Sequence, residues 1–210
     1  MSADDQYTSY QARTHWYMEH FHVPPKVHRR TMEHSETMLG IMEFSPSNPH
    51  RPFWTYATNG MSERQMPCET PPHGDPQFRT KLIAYSLQPA AWIIDLLEET
   101  ATYPFRYRSG LSIGHTVPVQ EEKQTLWSGY VLCEPLFEPE EFNPLPIDIG
   151  IQPDWVFFAQ IAGLLEPELQ FGIQEGGAAI FEKLKDCHAT SQPERSPAFL
   201  DVSRDRLTTI

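Results

Sequence analysis

The residues from Arg51 to Glu63, RPFWTYATNGMSE, constrain the fold more than any other stretch of this chain. Phe53 to Thr58 is almost entirely aromatic and β-branched, a composition suited to a pleated and largely buried strand. Asn59-Gly60 then ends the strand, because Asn tolerates the left-handed region and Gly enters it without steric cost. A buried strand stopped by such a turn fixes the loop that follows it, and fixed loops are where proteins present binding groups. The expectation is a core strand, with Trp54 buried, whose far end presents Met61, Ser62 and Glu63.

With 210 residues the chain can bury one sizeable core, so one domain over residues 1–210 is expected. Hydrophobic residues at 40% are enough to fold, and 20 prolines imply many reversals and no long uninterrupted helix. The formal charge of −12 repels phosphate backbones and anionic bilayers, so neither nucleic acid nor membrane is expected as a partner. The same field speeds encounter with a basic protein. Cys68, Cys133 and Cys187 are odd in number and widely spaced, which indicates neither a disulfide framework nor a zinc finger. The start, MSADDQYTSY, is acidic where a signal peptide is basic and then apolar, and no run approaches ~18 apolar residues. A reducing, cytoplasmic location follows as an expectation.

Aromatic residues near helical spacing from Tyr7 to Phe21 predict an amphipathic helix stopped before Pro24-Pro25. Lys26 to Glu33 and Thr37 to Phe44 read as short strands leading into the organising strand, and Phe78 to Leu87 as the next one. Between them, Arg64 to Asp75 holds three prolines and a glycine and reads as a mobile loop. Pro89 to Tyr103 is the clearest helix, with Trp92, Ile93, Leu96, Leu97 and Ala101 on one stripe and Asp95, Glu98 and Glu99 facing out. Leu111 to Val119, Thr125 to Leu132 and Trp155 to Leu164 read as strands, the last a central one with Phe157 buried. Glu166 to Lys185 reads as the second packed helix, with a kink or weak turn at Gly172 to Gly177. The proline- and acid-rich run from Cys133 to Pro146 reads as an exposed excursion.

Several of these pieces fall in a recognisable order. The WTYATNGMSE run, WIIDLLEETATYP from Trp92, Gly114-His115-Thr116, VFFAQIAGLLEPEL from Val156, AAIFEKL from Ala178 and PAFLDVSRDR from Pro197 together resemble the Suppressor of fused domain family. That family includes half of the animal Hedgehog-pathway regulator and small stand-alone bacterial proteins. The resemblance implies an α+β fold, a mixed, largely antiparallel central sheet flanked by helices, and a late strand at Phe199 to Val202. It also implies a non-enzymatic protein-interaction domain, and for stand-alone members an immunity protein that neutralises a toxin. The chain matches the first half of the animal protein, so a partner is expected on an exposed face or edge rather than in an internal two-domain cleft. Two positions depart from the family pattern: Lys81 stands where an acid is usual, and Gly114 where the animal proteins place Asp beside the histidine, here His115.

No constellation for chemistry emerges from the residues. His20-x-His22, with His28 and His34 further on, sits at a helix end before two prolines without a carboxylate or cysteine at ligand spacing. A GxSxG elbow, a P-loop and GxGxxG are all missing from the sequence, and adjacent Cys187-His188 is not a spatial Cys/His pair. The acid pairs Glu98-Glu99, Glu121-Glu122 and Glu140-Glu141 read as solvated rather than catalytic. The expectation is no catalytic residue, no cofactor and no metal. The partner is another protein, read as a basic toxin domain, and the chain itself a monomer or weak homodimer. The rival reading is a metal-assisted hydrolase, which needs His20, His22, His28 or His115 to converge on one open site. A third is a scaffold subunit with a self-complementary apolar patch. For partner contact the candidates are Met61, Ser62 and Glu63, with Glu138, Glu140 and Glu141 as an acidic flank attracting a basic surface.

Overall fold

The computed structural model describes residues 3–31, 38–47, 49, 51–63, 65 and 66, 79–119, 127–138, 145–147 and 154–190. The expected strand at Phe199 to Val202, most of the Arg64 to Asp75 loop, His34, Glu140 and Glu141 lie outside those residues.

The fold is α+β, with a largely antiparallel sheet and flanking helices. The chain forms two units, Met1–Leu111 with Phe137–Phe158, and Ser112–Leu136 with Ala159–Ile210. In the first unit the elements are α1 (Ala3–Phe21), β1 (Lys26–Thr31), β2 (Met38–Phe44), β3 (Trp54–Asn59), a 3₁₀ turn at Met61–Glu63, β4 (Arg79–Ser86) and α2 (Ala91–Tyr107). In the second they include β5 (Thr116–Pro118), β6 (Gly129–Cys133), α3 (Glu166–Glu175) and α4 (Gly177–Thr190). Short β7 (Leu145–Ile147) pairs antiparallel with β8 (Asp154–Leu164), and β8 runs from the first unit into the second.

Within the first unit the strand order is β1-β2-β3-β4-β8, and β1 to β4 form an antiparallel meander. Its registers set Met42 opposite Ala57 and Tyr56 opposite Ala84. Every residue of β3 after Trp54 is buried, as are the six central residues of β4. Such near-continuous burial belongs to strands covered on both faces. Helix α2 supplies part of the cover with Ile93, Leu97 and Ala101, each fully buried. The expected interior positions of Trp54 and Phe157 need correction, since both are only half-buried. Trp54 opens its strand, while Phe157 lies between buried Val156 and Phe158, the alternation of a strand sending it to the less covered face.

Three other boundaries differ from those expected. Helix α2 continues past Tyr103 through Pro104 to Tyr107. Proline removes a hydrogen bond to the preceding turn, but this ring is buried in the last full turn, where packing offsets the loss. Only Thr116–Pro118 of the expected Leu111 to Val119 strand forms a ladder, because the chain turns at Ser112 to His115 before reaching the sheet. The single helix expected from Glu166 to Lys185 is two helices parted at Gly176. In the second unit, strand order β8-β6-β5 carries α3 and α4, whose Leu169, Ile180, Phe181 and Leu184 pack on Val131, Cys133, Ala162 and Leu164.

Candidate functional site

The turn at the end of β3 is bolted down from two sides. Gly60 takes a φ of 108°, the left-handed conformation the Asn-Gly pair was expected to need, and the Glu63 N–H closes the turn on the Gly60 carbonyl at 3.0 Å. From α1, Arg13 Nε donates to Asn59 Oδ1 at 2.7 Å and its Nη2 pairs with the Glu63 carboxylate. Asn59 Nδ2 donates back to the Tyr10 carbonyl and the Thr14 hydroxyl, each at 3.2 Å. One turn further along α1, the Tyr17 hydroxyl donates to the Thr58 carbonyl at 3.0 Å. From β4, Arg79 Nη1 donates to the Ser62 carbonyl at 2.8 Å.

These contacts correct the expectation that the turn presents a binding surface. Met61 and Ser62 are buried, and the Glu63 side chain is 4% exposed and ion-paired. The turn is rigid because it is buried: its polar groups are used up by α1 and β4, and Met61 adds to the core rather than to a contact surface. Burial pushes the Glu63 carboxyl up, and the Arg13, Lys81 and Arg79 charges pull it back.

Glu138 is likewise an internal tie and not an acidic flank. It follows Phe137, whose ring packs 5.2 Å from Phe53 and 5.0 Å from Tyr85. The carboxylate accepts the Tyr85 hydroxyl at 2.7 Å and two Arg51 N–H groups at 2.9 and 3.0 Å, and His20 Nε2 lies at 2.6 Å. The Arg51 guanidinium also covers the Phe21 ring, 4.6 Å from its centre. Burial alone would raise the Glu138 carboxyl, but hydrogen bonds from His20 and Arg51, the Arg51 charge and the Tyr85 hydroxyl together hold it below its usual range. A fully paired, enclosed carboxylate has no lone pair left for substrate or solvent.

Lys81, marked in the sequence only as a departure from the family pattern, is fully buried and its Nζ has no hydrogen-bond partner. It lies 4.9 Å from the centre of the Tyr17 ring and 5.5 Å from that of Phe158. Burial first, and then the like charge of Arg13, push its ammonium well below the usual lysine range, with Glu63 opposing.

The imidazoles are engaged separately. His20 meets Glu138, His28 meets Glu43 at 2.9 Å and His15 meets Glu19 at 3.1 Å. His115 is exposed, within its own turn and beside Ser112. Gly114, next to it, has a φ of 90°, which Asp or any other L-residue adopts only at a cost. Among the described residues no group of three or more His, Cys, Asp or Glu side chains could hold a metal ion. Of the expected partner-contact residues, the structure places Met61, Ser62 and Glu63 together in the clamped turn. It sets Glu138 in a different buried cluster of the same unit.

The family model for the Suppressor of fused protein (SUFU) matches residues 35–205. The chain belongs to the Suppressor of fused family. A solved Suppressor of fused homolog from Neisseria gonorrhoeae is similar over 97% of this chain and 96% of its own, with a TM-score of 0.65 at 15% identity. The structure of the Sufu–Fu complex aligns with 85% of this chain and 82% of its own, at a TM-score of 0.56 and 14% identity. Drosophila Suppressor of Fused aligns with 70% of this chain but only 38% of its own, at 0.50 and 16%. At these identities the likeness is one of fold. No curated protein matches the chain. No helix among the described residues is long and apolar enough to cross a membrane.

Arg13, Tyr17, Arg51 and Lys81 are the residues that sequence reasoning missed. Their partners lie 41 residues away or more in the case of Arg13 and Tyr17, and 87 residues away for Arg51 and Glu138. The signal at hand was Arg13 falling on the same helical stripe as Tyr10, Tyr17 and Phe21, where a charged residue demands a buried counterpart.

Proposed function

We propose that this chain is a protein-binding domain with no chemistry of its own, and that it acts as an immunity protein neutralising a basic toxin domain. The observation that carries the reading is family membership over most of the chain, in a family one of whose solved members is a complex with another protein, Fu. The charge of −12 supports a basic partner, since it accelerates encounter with a cationic surface and repels acidic competitors. In this reading Glu140 and Glu141 keep the role of attracting the partner. Met61, Ser62, Glu63 and Glu138 contribute by holding the fold that presents it.

The test is recovery of the tagged protein from its own cells, with its companions identified by mass spectrometry. A basic polypeptide retained at stoichiometric level, released by salt and harmless to cells only when this chain is co-expressed, is the expected result. Failure to retain any basic polypeptide, or hydrolysis of a substrate by the purified chain alone, would refute it.

A further inference from the structure

The last turn of α2 carries the sequence YPFRYR, from Tyr103 to Arg108. Tyr103 and Tyr107 stand one turn apart on the helix with ring centres 4.8 Å from each other, and they are 39% and 66% exposed. Arg106 and Arg108 are exposed beside them, Arg108 in the left-handed conformation that ends the helix. Arginine in a last helical turn complements the negative end of the helix dipole, which accounts for Arg106. That effect does not account for two large aromatic rings left in water side by side.

The surrounding sequence is unusual for so acidic a chain. No Asp or Glu stands between Glu99 and Glu121, the longest acid-free run in the sequence. Tyrosine and arginine are the side chains most enriched where interfaces concentrate their binding energy, and a guanidinium grips a carboxylate with two parallel hydrogen bonds. We infer that the Tyr103–Arg108 face of α2 is a docking surface for an acidic segment of a partner protein. The rings supply apolar contact at low ordering cost, and the exposed Arg108 at the helix end supplies the charge complement. This surface is separate from the one that attracts a basic partner and does not depend on the toxin reading. Stacking of nucleobases on the same rings is the rival use, and the net charge of −12 opposes it.

The experiment titrates the ¹⁵N-labelled chain with a short probe peptide of alternating glutamate and leucine, and in parallel with oligothymidylate. The expected result is a saturable set of amide shifts confined to Tyr103–Arg108 on adding the peptide, weakened by salt. Tyr107→Ser and Arg108→Glu should each weaken binding about ten-fold while melting like the parent, since both side chains are exposed. Shifts elsewhere, no shifts, or an affinity unchanged from the parent's in both variants would overturn the proposal. Tighter binding of oligothymidylate at the same residues would overturn it in favour of nucleic acid.

Discussion

The Lys81 nitrogen lies 4.9 Å from the centre of the Tyr17 ring, fully buried and without a hydrogen bond. An amine in that position costs free energy in either protonation state, as an orphaned donor when neutral and as a poorly solvated charge when protonated. Lys81→Met keeps an unbranched apolar stem out to Cε and removes the polar end. It should raise stability by about 1–3 kcal/mol near neutral pH, read from urea unfolding. The folded-state pKa lies below the ordinary value of 10.5, so over the window between the two the unfolded chain holds a proton that the folded chain has lost. The parent therefore gains stability as pH rises through that window, and the advantage of the Met variant shrinks toward pH 10.5. A variant less stable than the parent would mean that the amine has a partner.

The Arg13 and Glu63 pair tests whether the turn after β3 is structural. Glu63→Lys would place a cation beside Arg13, Arg79 and Lys81, whose charges all act on this carboxylate. Loss of one member of a buried pair costs about 3–5 kcal/mol, and the charge reversal should cost at least that. A melting temperature equal to the parent's would show the turn to be solvent-facing.

Glu138 should dominate the acid limb of the stability curve among the residues of its cluster. Its folded-state pKa lies below the ordinary 4.5, so its contribution is fully present above that value and is lost as pH falls through the lower folded one. Glu138→Gln should therefore destabilise the protein at neutral pH and flatten the loss between pH 4.5 and the folded value. Tyr85→Phe, which removes one hydrogen bond to the carboxylate, should cost about 1.5–3 kcal/mol. Chemical denaturation across the acid range checks both.

Tyr56 and Trp54 separate interior from periphery on the organising strand. Tyr56 is fully buried and its hydroxyl accepts the Ala90 N–H at 2.8 Å at the start of α2. Tyr56→Ala should cost about 3–5 kcal/mol, as large aromatic truncations in cores do, and half-buried Trp54→Ala distinctly less. The reverse order would mean that Trp54, and not Tyr56, holds the interior position on that face.

Gly163 on β8 lies so close to the Trp127 ring that a side-chain carbon there would overlap it. Gly163→Ala should destabilise by about 1–3 kcal/mol through displacement of the ring, seen as red-shifted tryptophan fluorescence and a lower melting temperature.

The positions of most elements were legible in the sequence because each rests on local chemistry. The aromatic run and Asn-Gly pair set β3 and its end, the apolar stripe from Trp92 set α2, and the apolar run from Trp155 set β8. The family was legible for the same reason, since its motifs are those local segments in order. What the sequence could not decide is which polar groups are enclosed. Ser62, Glu63 and Glu138 carry the residue types of a surface, and only the packing of α1 and of Phe137 against the sheet turns them inward. Burial of a charge depends on a counterpart tens of residues away, as Arg13 is from Glu63 and Arg51 from Glu138. No periodicity along the chain records such a pairing, so it exists only once the tertiary structure has brought the two groups together.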